Sequence, residues 1–292
     1  MASASRPSLT ERVRFIASAY RNRVAIEPLL AADPQSLLGR TLSQQPALYN
    51  MARAPYLCAT WTPTERIKHF IDHIAQADQM SPLFSFDISQ EIRLLDLSVL
   101  GSGYHLLLDK PMWFNREGVV ALNLFHNDVR LFTIAFAIAA EPSGLVAIIG
   151  GIQGRDLPNI LDQYRALTKA AHGMRPRDLL IELFRMICRD QAIGEIRAIA
   201  DSHRHHKSRY FGRDTQQALQ LDYDAIWRDR GGKRLDDAFF ILPTTRHERD
   251  PLDIPARKRS LYRQRYAMIE QLEASMTNAI ANARSSALSV SL

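Results

Sequence analysis

The chain has 292 residues, of which 46% are hydrophobic and 23% are charged, and its formal net charge at pH 7 is +6. This composition excludes a disordered chain, and the longest apolar run, Leu131 to Ala140, is too short to cross a bilayer. The positive charge is compatible with nucleic acid, anionic lipid, acidic carrier proteins or phosphate-bearing cofactors as ligands, and it does not choose among them.

The N-terminal residues and the cysteines indicate the cellular compartment. Met1 to Pro7 is small and polar, and the helix candidate after it is charged throughout, so no signal peptide is visible. We therefore expect a cytoplasmic protein. Only Cys58 and Cys188 occur, far apart and in apolar surroundings, which argues against a disulfide framework or a cysteine metal site.

Residues 1–80 are predicted to form a helical N-terminal extension. Apolar residues recur at helical spacing from Leu9 to Leu30, with arginines among them. A stronger signal begins at Thr62, which can cap a helix that starts at Pro63, while Glu65 can reach back to complete a capping box.

Two histidines in this helix have a spacing that metal ligands use. His69 and His73 lie four residues apart and can share one helix face. No third ligand or Glu-His motif stands near them, so the sequence predicts no metal site.

Residues 81–255 are predicted to form an α+β core with a mainly antiparallel central sheet and flanking helices. The apolar period becomes that of strands, and segments rich in Gly, Asn and Asp separate them. The predicted strands are Ile92–Leu100, Tyr104–Leu108, Val119–Phe125, Arg130–Ala139, Gly144–Gly150, Ile193–Ala200 and Ala238–Leu242. A C-terminal helix and tail are predicted over residues 256–292.

The stretch from Gly144 to Asp201 contains the strongest candidate site. Its first strand leads through a short polar segment to a basic loop, residues 172–177, and an apolar-periodic helix begins near Pro176. A strand, a loop with glycine and arginine, and a helix offer free backbone N–H groups and a positive helix end to a phosphate. We therefore predict that an anionic cofactor binds here.

Four segments of the chain resemble the VirK/YbjX family of bacterial proteins. They are Ala170-Ala-His-Gly-Met-Arg-Pro-Arg-Asp-Leu-Leu180, Gly150-Gly-Ile-Gln-Gly-Arg155, Tyr223-Asp-Ala-Ile-Trp227 and Ala238-Phe-Phe-Ile-Leu-Pro243. The resemblance extends from about Trp61 to the C-terminal helix, and the His-Gly-Met-Arg-Pro-Arg phrase is its most specific part. It implies links to bacterial virulence and envelope stress, and it implies no particular reaction.

The order of the elements also resembles the acetyltransferases related to histone N-acetyltransferases. In that fold the loop after the fourth strand binds the pyrophosphate of coenzyme A through backbone amides, which would place residues 172–177 in that loop. The chain departs from the usual pattern, since only Gly173 is present and Pro176 lacks an N–H donor. Residues 155–169 also separate the strand from the loop. The acyl donor therefore has three candidates: an acyl-CoA, an acyl carrier protein or a charged transfer RNA.

The leading hypothesis is an acyl-group transferase that acts on an amine or hydroxyl of a small molecule or peptide. We expect no tightly bound cofactor, because the acyl donor would act as a co-substrate. Such a reaction needs an anchor for the donor's phosphates, hydrogen-bond donors for the developing oxyanion, and a base for the acceptor. The candidates for donor binding are Gln153, Gly154, the amide of Gly173, Arg175 and Arg177.

The candidates for acid–base catalysis follow the next strand or lie in the basic loop. His203 and His172 have suitable intrinsic pKa values, Asp201 can orient one of them, and Tyr210 can protonate the leaving group. In this fold the residues just past both parallel strands would converge on one cleft. We therefore expect Gln153 and His203 to face each other.

The alternative hypothesis is a non-enzymatic adaptor in virulence or envelope stress. The basic segments Arg204 to Arg213 and Arg228 to Arg234, with Tyr210, Phe211 and Trp227 among them, can bind nucleic acid by phosphate contacts and stacking. They can equally bind anionic lipid or a protein partner. Salt-dependent binding to many RNA sequences, without a product from acyl donors, favours the adaptor, whereas a bound acyl donor favours the transferase.

Overall fold

The computed structural model describes residues 9–80, 83–212, 221–246 and 248–290, which form an α+β fold with an eight-stranded sheet and flanking helices. The strands are β1 Ile92–Asp96, β2 Tyr104–Asp109, β3 Val120–His126, β4 Val129–Glu141, β5 Gly144–Gly154, β6 Ile193–Ile199, β7 Lys233–Arg234 and β8 Phe239–Leu242. The helices are α1 Leu9–Arg21, α2 Arg23–Leu30, α3 Leu37–Gln44, α4 Pro63–Gln79, α5 Ile160–Ala170, α6 Pro176–Asp190, α7 Tyr223–Asp229 and α8 Arg259–Val290.

The sheet is mainly antiparallel, as the sequence predicts. Its strand order is β1-β2-β3-β4-β5-β6-β8-β7, and β5 with β6 is the parallel pair among these neighbours. Helices α5 and α6 form the crossover that a parallel pair requires. Every residue of β4 from Thr133 to Ala139 is buried, so both faces of the sheet are covered at its centre.

The strands β5 and β6 separate before β5 ends. Their last paired residues are Ile149 and Ala198, whereas β5 continues to Gly154 alongside β4. At the point of separation β5 shifts register against β4, and Gly150 is the extra residue of a β-bulge. A side chain at Gly150 would place its Cβ only 2.1 Å from the backbone oxygen of Glu117, so this position requires glycine.

Helix α7 fills the gap between the separated strands. The Tyr223 hydroxyl accepts a hydrogen bond from the backbone N–H of Ile152 and donates one to its carbonyl, each at 2.8 Å. One turn later, Trp227 Nε1 donates to the carbonyl of Ile199 at 2.8 Å. Both side chains are buried, and buried backbone groups need partners. Tyr223 and Trp227, which we name the aromatic wedge, therefore replace hydrogen bonds that a neighbouring strand would supply.

Two helical segments differ from the sequence prediction. The predicted helix from Leu9 to Leu30 is two helices, interrupted at Asn22. The connection after β5, predicted only as a polar segment, contains α5, whose apolar positions Ile160, Tyr164 and Leu167 form one narrow row. A single row of this kind is a weak periodic signal, because a typical core-facing helix carries a wider apolar stripe.

The terminal helices share the core of the sheet. One cluster of buried apolar side chains runs from Ile26 in α2 to Ile280 in α8. Within the described part of the chain, no helix combines the length and the apolar composition needed to cross a membrane.

The capping box predicted at the start of α4 is confirmed. The Glu65 backbone N–H donates to Thr62 Oγ1 at 3.3 Å, and Glu65 Oε2 accepts from the Thr62 backbone N–H at 2.6 Å. We expect Thr62→Ala to lower the free energy of unfolding by about 1 kcal/mol, whereas Thr62→Ser should retain most of the stability because it keeps the hydroxyl. Urea unfolding measures this difference, and an unchanged midpoint for Thr62→Ala would contradict it.

Tyr223→Phe tests the aromatic wedge. Loss of the hydroxyl leaves the buried N–H and carbonyl of Ile152 without this partner, so we expect a loss of about 2 to 4 kcal/mol in unfolding free energy. Tyr266→Phe is the matched control, because its hydroxyl accepts one exposed hydrogen bond, from the Arg249 N–H. It should cost less than about 1 kcal/mol. Equal effects of the two substitutions would show that the wedge does not stabilise the gap.

Candidate functional site

A groove runs along the end of β5 and the start of α6. It consists of two adjoining cavities of about 860 Å³ and 850 Å³. The basic loop, α7 and α8 contribute residues to both cavities, and the shared ones are Gly173, Arg175, Arg177, Leu221, Ile226 and Leu261.

The two halves of the groove differ in chemistry. The half beside α8 is lined by three aspartates, Asp178, Asp222 and Asp229, and by six basic side chains, Arg175, Arg177, Arg230, Arg249, Lys258 and Arg265. The half beside β5 has an apolar lining that includes Phe132, Ile152, Leu161, Tyr164, Ile226 and Leu261, with exposed charged residues at its edge. The groove therefore suits a ligand with an anionic end and an apolar end.

Two residues in the left-handed region shape the basic loop. They are His172, with φ of 48°, and Gly173, with φ of 77°. The Gly173 N–H donates to the carbonyl of Thr168 at 2.7 Å and closes the C-terminus of α5. The predicted use of this amide as a phosphate donor does not hold here, because the N–H is already engaged. Gly173 also lines the groove, where it has no side chain to contact a ligand.

Carboxylates hold two of the groove arginines in place. Asp178 Oδ1 lies 3.0 Å from Arg177 Nε and 3.8 Å from Arg230 Nε. Asp229 Oδ2 lies 3.9 Å from Arg177 and 3.4 Å from Arg230. Arg175 is exposed and directly precedes α6. The groove therefore combines positioned guanidinium groups with the exposed ones of Arg175 and Arg249.

The structure brings the five predicted donor-binding residues together. All of them line the groove, although they come from the end of β5 and from the basic loop: Gln153, Gly154, Gly173, Arg175 and Arg177. The four predicted acid–base residues do not join them. His172 is nearest in the chain, and its carbonyl accepts two hydrogen bonds from the Arg265 guanidinium, at 3.1 and 2.9 Å.

The other predicted acid–base residues lie elsewhere. Asp201 lines a cavity of about 720 Å³ that shares Asp222 with the basic half of the groove. The ring of the half-buried His203 lies 2.9 Å from Ser202 Oγ. The guanidinium of Arg53 lies over the ring of Tyr210, 5.1 Å from the ring centre. The expectation that Gln153 and His203 share a cleft is wrong, because the aromatic wedge fills the gap between the strand ends.

A second cluster lies beside the bulge in β5. Glu117 Oε1 is 3.5 Å from His205 Nδ1, and the two side chains are only 16% and 14% exposed. The His206 ring stands edge-on to His205, with centroids 5.6 Å apart. Neither ring nitrogen of His206 has a hydrogen-bond partner among the described residues. We name Glu117, His205 and His206 the acid–base cluster.

Burial sets the protonation states of this cluster. It raises the pKa of Glu117 to about 8, although the nearby charge of Arg204 opposes the shift. Burial also lowers the pKa of His205 to about 3 and that of His206 to about 4, and neighbouring cations add to both effects. At pH 7 Glu117 and His205 therefore form a largely neutral acid beside a neutral imidazole, not an ion pair.

The acid–base cluster and the groove share strand β5. A Cβ on Gly151 would lie 2.8 Å from Glu117 Cγ, so Glu117 covers Gly151. Gln153 lines the groove and is two residues further along the strand. Residues two apart in a strand point to the same face and lie roughly 7 Å apart. Glu117 and the Gln153 side chain therefore lie on one face of the sheet, whereas Phe132 and Tyr164 of the groove's apolar lining contact the opposite face at Gly154.

Local sequence patterns do not indicate that Glu117 joins the histidines in this cluster. Glu117 belongs to Asn115-Arg-Glu-Gly118, which has the composition of a turn. The available signal is the pair Gly150-Gly151 inside an apolar strand, since glycine within a strand often marks a close approach by another segment. Among the described residues, no three His, Cys, Asp or Glu side chains are grouped so that they could hold a metal ion.

Comparison with known proteins identifies the family. A family model described as "Protein of unknown function (DUF535)" matches residues 5–278, and the chain belongs to this family. The chain is 26% identical over 261 residues to "Uncharacterized protein YbjX" of Escherichia coli K12, which covers 87% of this chain and 78% of that protein. The predicted resemblance to the VirK/YbjX family is thereby confirmed.

Two proteins of Haemophilus influenzae, each described as "Uncharacterized protein", are also similar. They are 30% and 28% identical over 156 and 157 residues, which is 53% of this chain in both cases. The matches cover 50% and 51% of those proteins, so the similarity spans about half of their length.

Glu117→Gln should change how stability depends on pH. In the unfolded chain Glu117 has its ordinary pKa of about 4.5, whereas burial raises the pKa in the folded protein to about 8. The folded state therefore binds more protons between these values, and this contribution to stability is lost as the pH rises from about 4.5 to about 8. The glutamine variant should lack that loss and be more stable at pH 8 by on the order of 3 kcal/mol.

Thermal and urea unfolding between pH 5 and pH 8, in steps of about one unit, measure this difference. Glu27→Gln removes an exposed carboxylate on α2 and should follow the pH dependence of the parent protein. Parallel pH dependences of the parent and Glu117→Gln would contradict the assignment of a neutral buried acid.

Proposed function

We propose that the protein is an acyl-group transferase whose donor lies in the groove. The donor's anionic part binds in the basic half, and its acyl chain binds in the apolar half. The observation that carries this proposal is the combination of six basic side chains and an apolar compartment in one groove, at the end of β5. The similarity in element order to the histone-acetyltransferase-related enzymes supports the same reaction class.

The groove favours an extended donor with two different ends. Each half has the volume of a pocket that holds a small molecule, so one compact ligand would fill only part of the groove. Guanidinium forks match the geometry of phosphate oxygens. An acyl-CoA, or the phosphopantetheine arm of an acyl carrier protein, has a phosphate end and an acyl end. An aminoacyl-tRNA shares the phosphate chemistry and has a shorter acyl part.

Proton transfer is assigned to Glu117 in place of His203. In the reaction the acceptor nitrogen or oxygen bonds to the acyl carbon, and the bond from that carbon to the donor's sulfur or oxygen breaks. The ionised Glu117 takes the acceptor's proton and returns it to the leaving group. A carboxyl group with a pKa of about 8 can both gain and lose a proton near neutral pH. His205 Nδ1 lies 3.5 Å from the carboxyl group.

The contacts of the basic segments make the adaptor hypothesis the weaker one. Arg204 lies 3.8 Å from the ring centre of Tyr223, and Arg234 pairs with Asp224 at 2.9 Å. Trp227 is fully buried and cannot stack on a base. Arg213, which belongs to the predicted nucleic-acid surface, lies outside the described residues. These contacts remove several of the cations and aromatic rings that binding to RNA would use.

The first test measures donor binding. Purified protein is incubated with a panel of acyl-CoAs and acyl carrier proteins, and bound donor is detected by native mass spectrometry. The double variant Arg175→Ala/Arg177→Ala should raise the donor Kd at least tenfold, because each loses charge-assisted contacts with phosphate. Arg93→Ala, which removes an exposed arginine on β1 paired with Asp96, is the control and should bind like the parent.

The second test measures turnover and its pH dependence. Activity should rise with pH towards a plateau above about 8, as Glu117 ionises. Glu117→Gln should lower turnover by roughly a hundredfold or more, with donor affinity nearly unchanged. His203→Ala should retain activity. Loss of turnover in His203→Ala but not in Glu117→Gln would contradict the assignment of the base. If no donor binds at all, while RNA binds in a salt-dependent way, the adaptor hypothesis replaces the transferase.

A further inference from the structure

The outward face of α1 carries a continuous row of apolar side chains. At about 100° per residue, positions 9, 13, 16 and 20 of a helix fall on one narrow face. These side chains are strongly exposed: Leu9 78%, Val13 58%, Ile16 65% and Tyr20 72%. We name them the apolar stripe. Val24, at the start of α2, is 76% exposed and follows the stripe in the chain.

The opposite face of α1 attaches the helix to the protein. Ser18 Oγ donates to the carbonyl of Ala52 at 2.9 Å, and Phe15 and Ala19 are partly buried. The helix is therefore fixed with its apolar stripe directed away from the core. Exposed apolar residues are normal when scattered, but a contiguous row on one helix face indicates a binding surface.

Arginines flank the apolar stripe on both sides. Viewed down the helix axis, Arg12 lies about 70° from the centre of the apolar stripe on one side, and Arg21 lies about 110° from it on the other. Arg14 and Arg23 are also exposed, and the guanidinium of Arg23 lies 5.5 Å from the ring centre of Tyr20. Glu11 and Glu27 are the acidic residues between positions 9 and 30, so this part of the chain has a basic excess.

We propose that α1 binds the surface of a membrane that contains anionic phospholipids. The apolar stripe enters the boundary between headgroups and acyl chains, and the arginines extend to the lipid phosphates. This is the arrangement of an interfacial helix, with apolar residues on one face and basic residues along its edges. The inference does not depend on the acyltransferase proposal.

Charge complementarity favours a lipid surface over a protein partner. A protein that covered the stripe would also dehydrate guanidinium groups on both edges, and it would need a carboxylate near each of them. An anionic bilayer presents phosphates on all sides of an inserted helix, and the long arginine side chains reach them while staying hydrated.

Vesicle co-sedimentation tests the proposal with the full chain. The probes are vesicles of phosphatidylcholine alone and of an equimolar mixture of phosphatidylcholine and phosphatidylglycerol. The parent protein should sediment with the mixed vesicles, and much less with the neutral ones. Val13→Ser/Ile16→Ser should lower the partition coefficient at least tenfold, because it removes the centre of the stripe. Arg12→Gln and Arg21→Gln should each lower it about fivefold, and less at high salt.

The control is Leu252→Ser, which removes an isolated apolar side chain that is 87% exposed. It should bind vesicles like the parent protein. All variants change exposed positions, so circular dichroism and thermal unfolding should confirm that each retains the parent fold. The proposal is overturned if the parent protein does not bind the mixed vesicles, or if Val13→Ser/Ile16→Ser binds them normally. Self-association of the parent that the same double substitution abolishes, without vesicle binding, would make the stripe a protein interface.

Discussion

The separation of β5 from β6 is the feature on which the rest of this structure depends. Beyond Ile149 and Ala198 the backbone groups that face the gap lack a neighbouring strand. Leaving such groups buried and unpaired would cost about 1 to 3 kcal/mol each. Tyr223 and Trp227 supply the missing partners. Ile226 from the same helix lines the groove, so α7 both closes the gap and shapes the groove.

The aromatic wedge also bears on the position of the acid–base cluster. The guanidinium of Arg204 lies 3.8 Å from the ring centre of Tyr223, and Arg204 forms a β-bridge with Cys58. These contacts fix the chain directly before His205, which then reaches Glu117. On the other side of Tyr223, Ile152 belongs to the lining of the groove. The groove and the acid–base cluster are thus two separate sites that both border the end of β5.

The sequence predicts those features that depend on neighbouring residues. The capping box at Thr62, the mainly antiparallel sheet and the grouping of Gln153 with Arg175 and Arg177 follow from turn chemistry, periodicity and the ends of elements. The prediction that His203 shares a cleft with Gln153 fails because it assumes an open gap between the parallel strands. Local patterns do not reveal that a tyrosine from a later helix fills this gap, and the contact of Glu117 with His205 joins segments far apart in the chain.

The acid–base cluster lowers the stability of the folded protein. Burial disfavours the charged form of Glu117, His205 and His206, and amide or apolar side chains of similar size would avoid that cost. The same burial brings the pKa of the Glu117 carboxyl to about 8, close to the pH at which it would work. An acyl transfer needs an anion anchor at one end of the donor and a proton acceptor near the labile bond. Under the proposed function, the basic half of the groove would meet the first requirement and Glu117 the second, from opposite faces of β5.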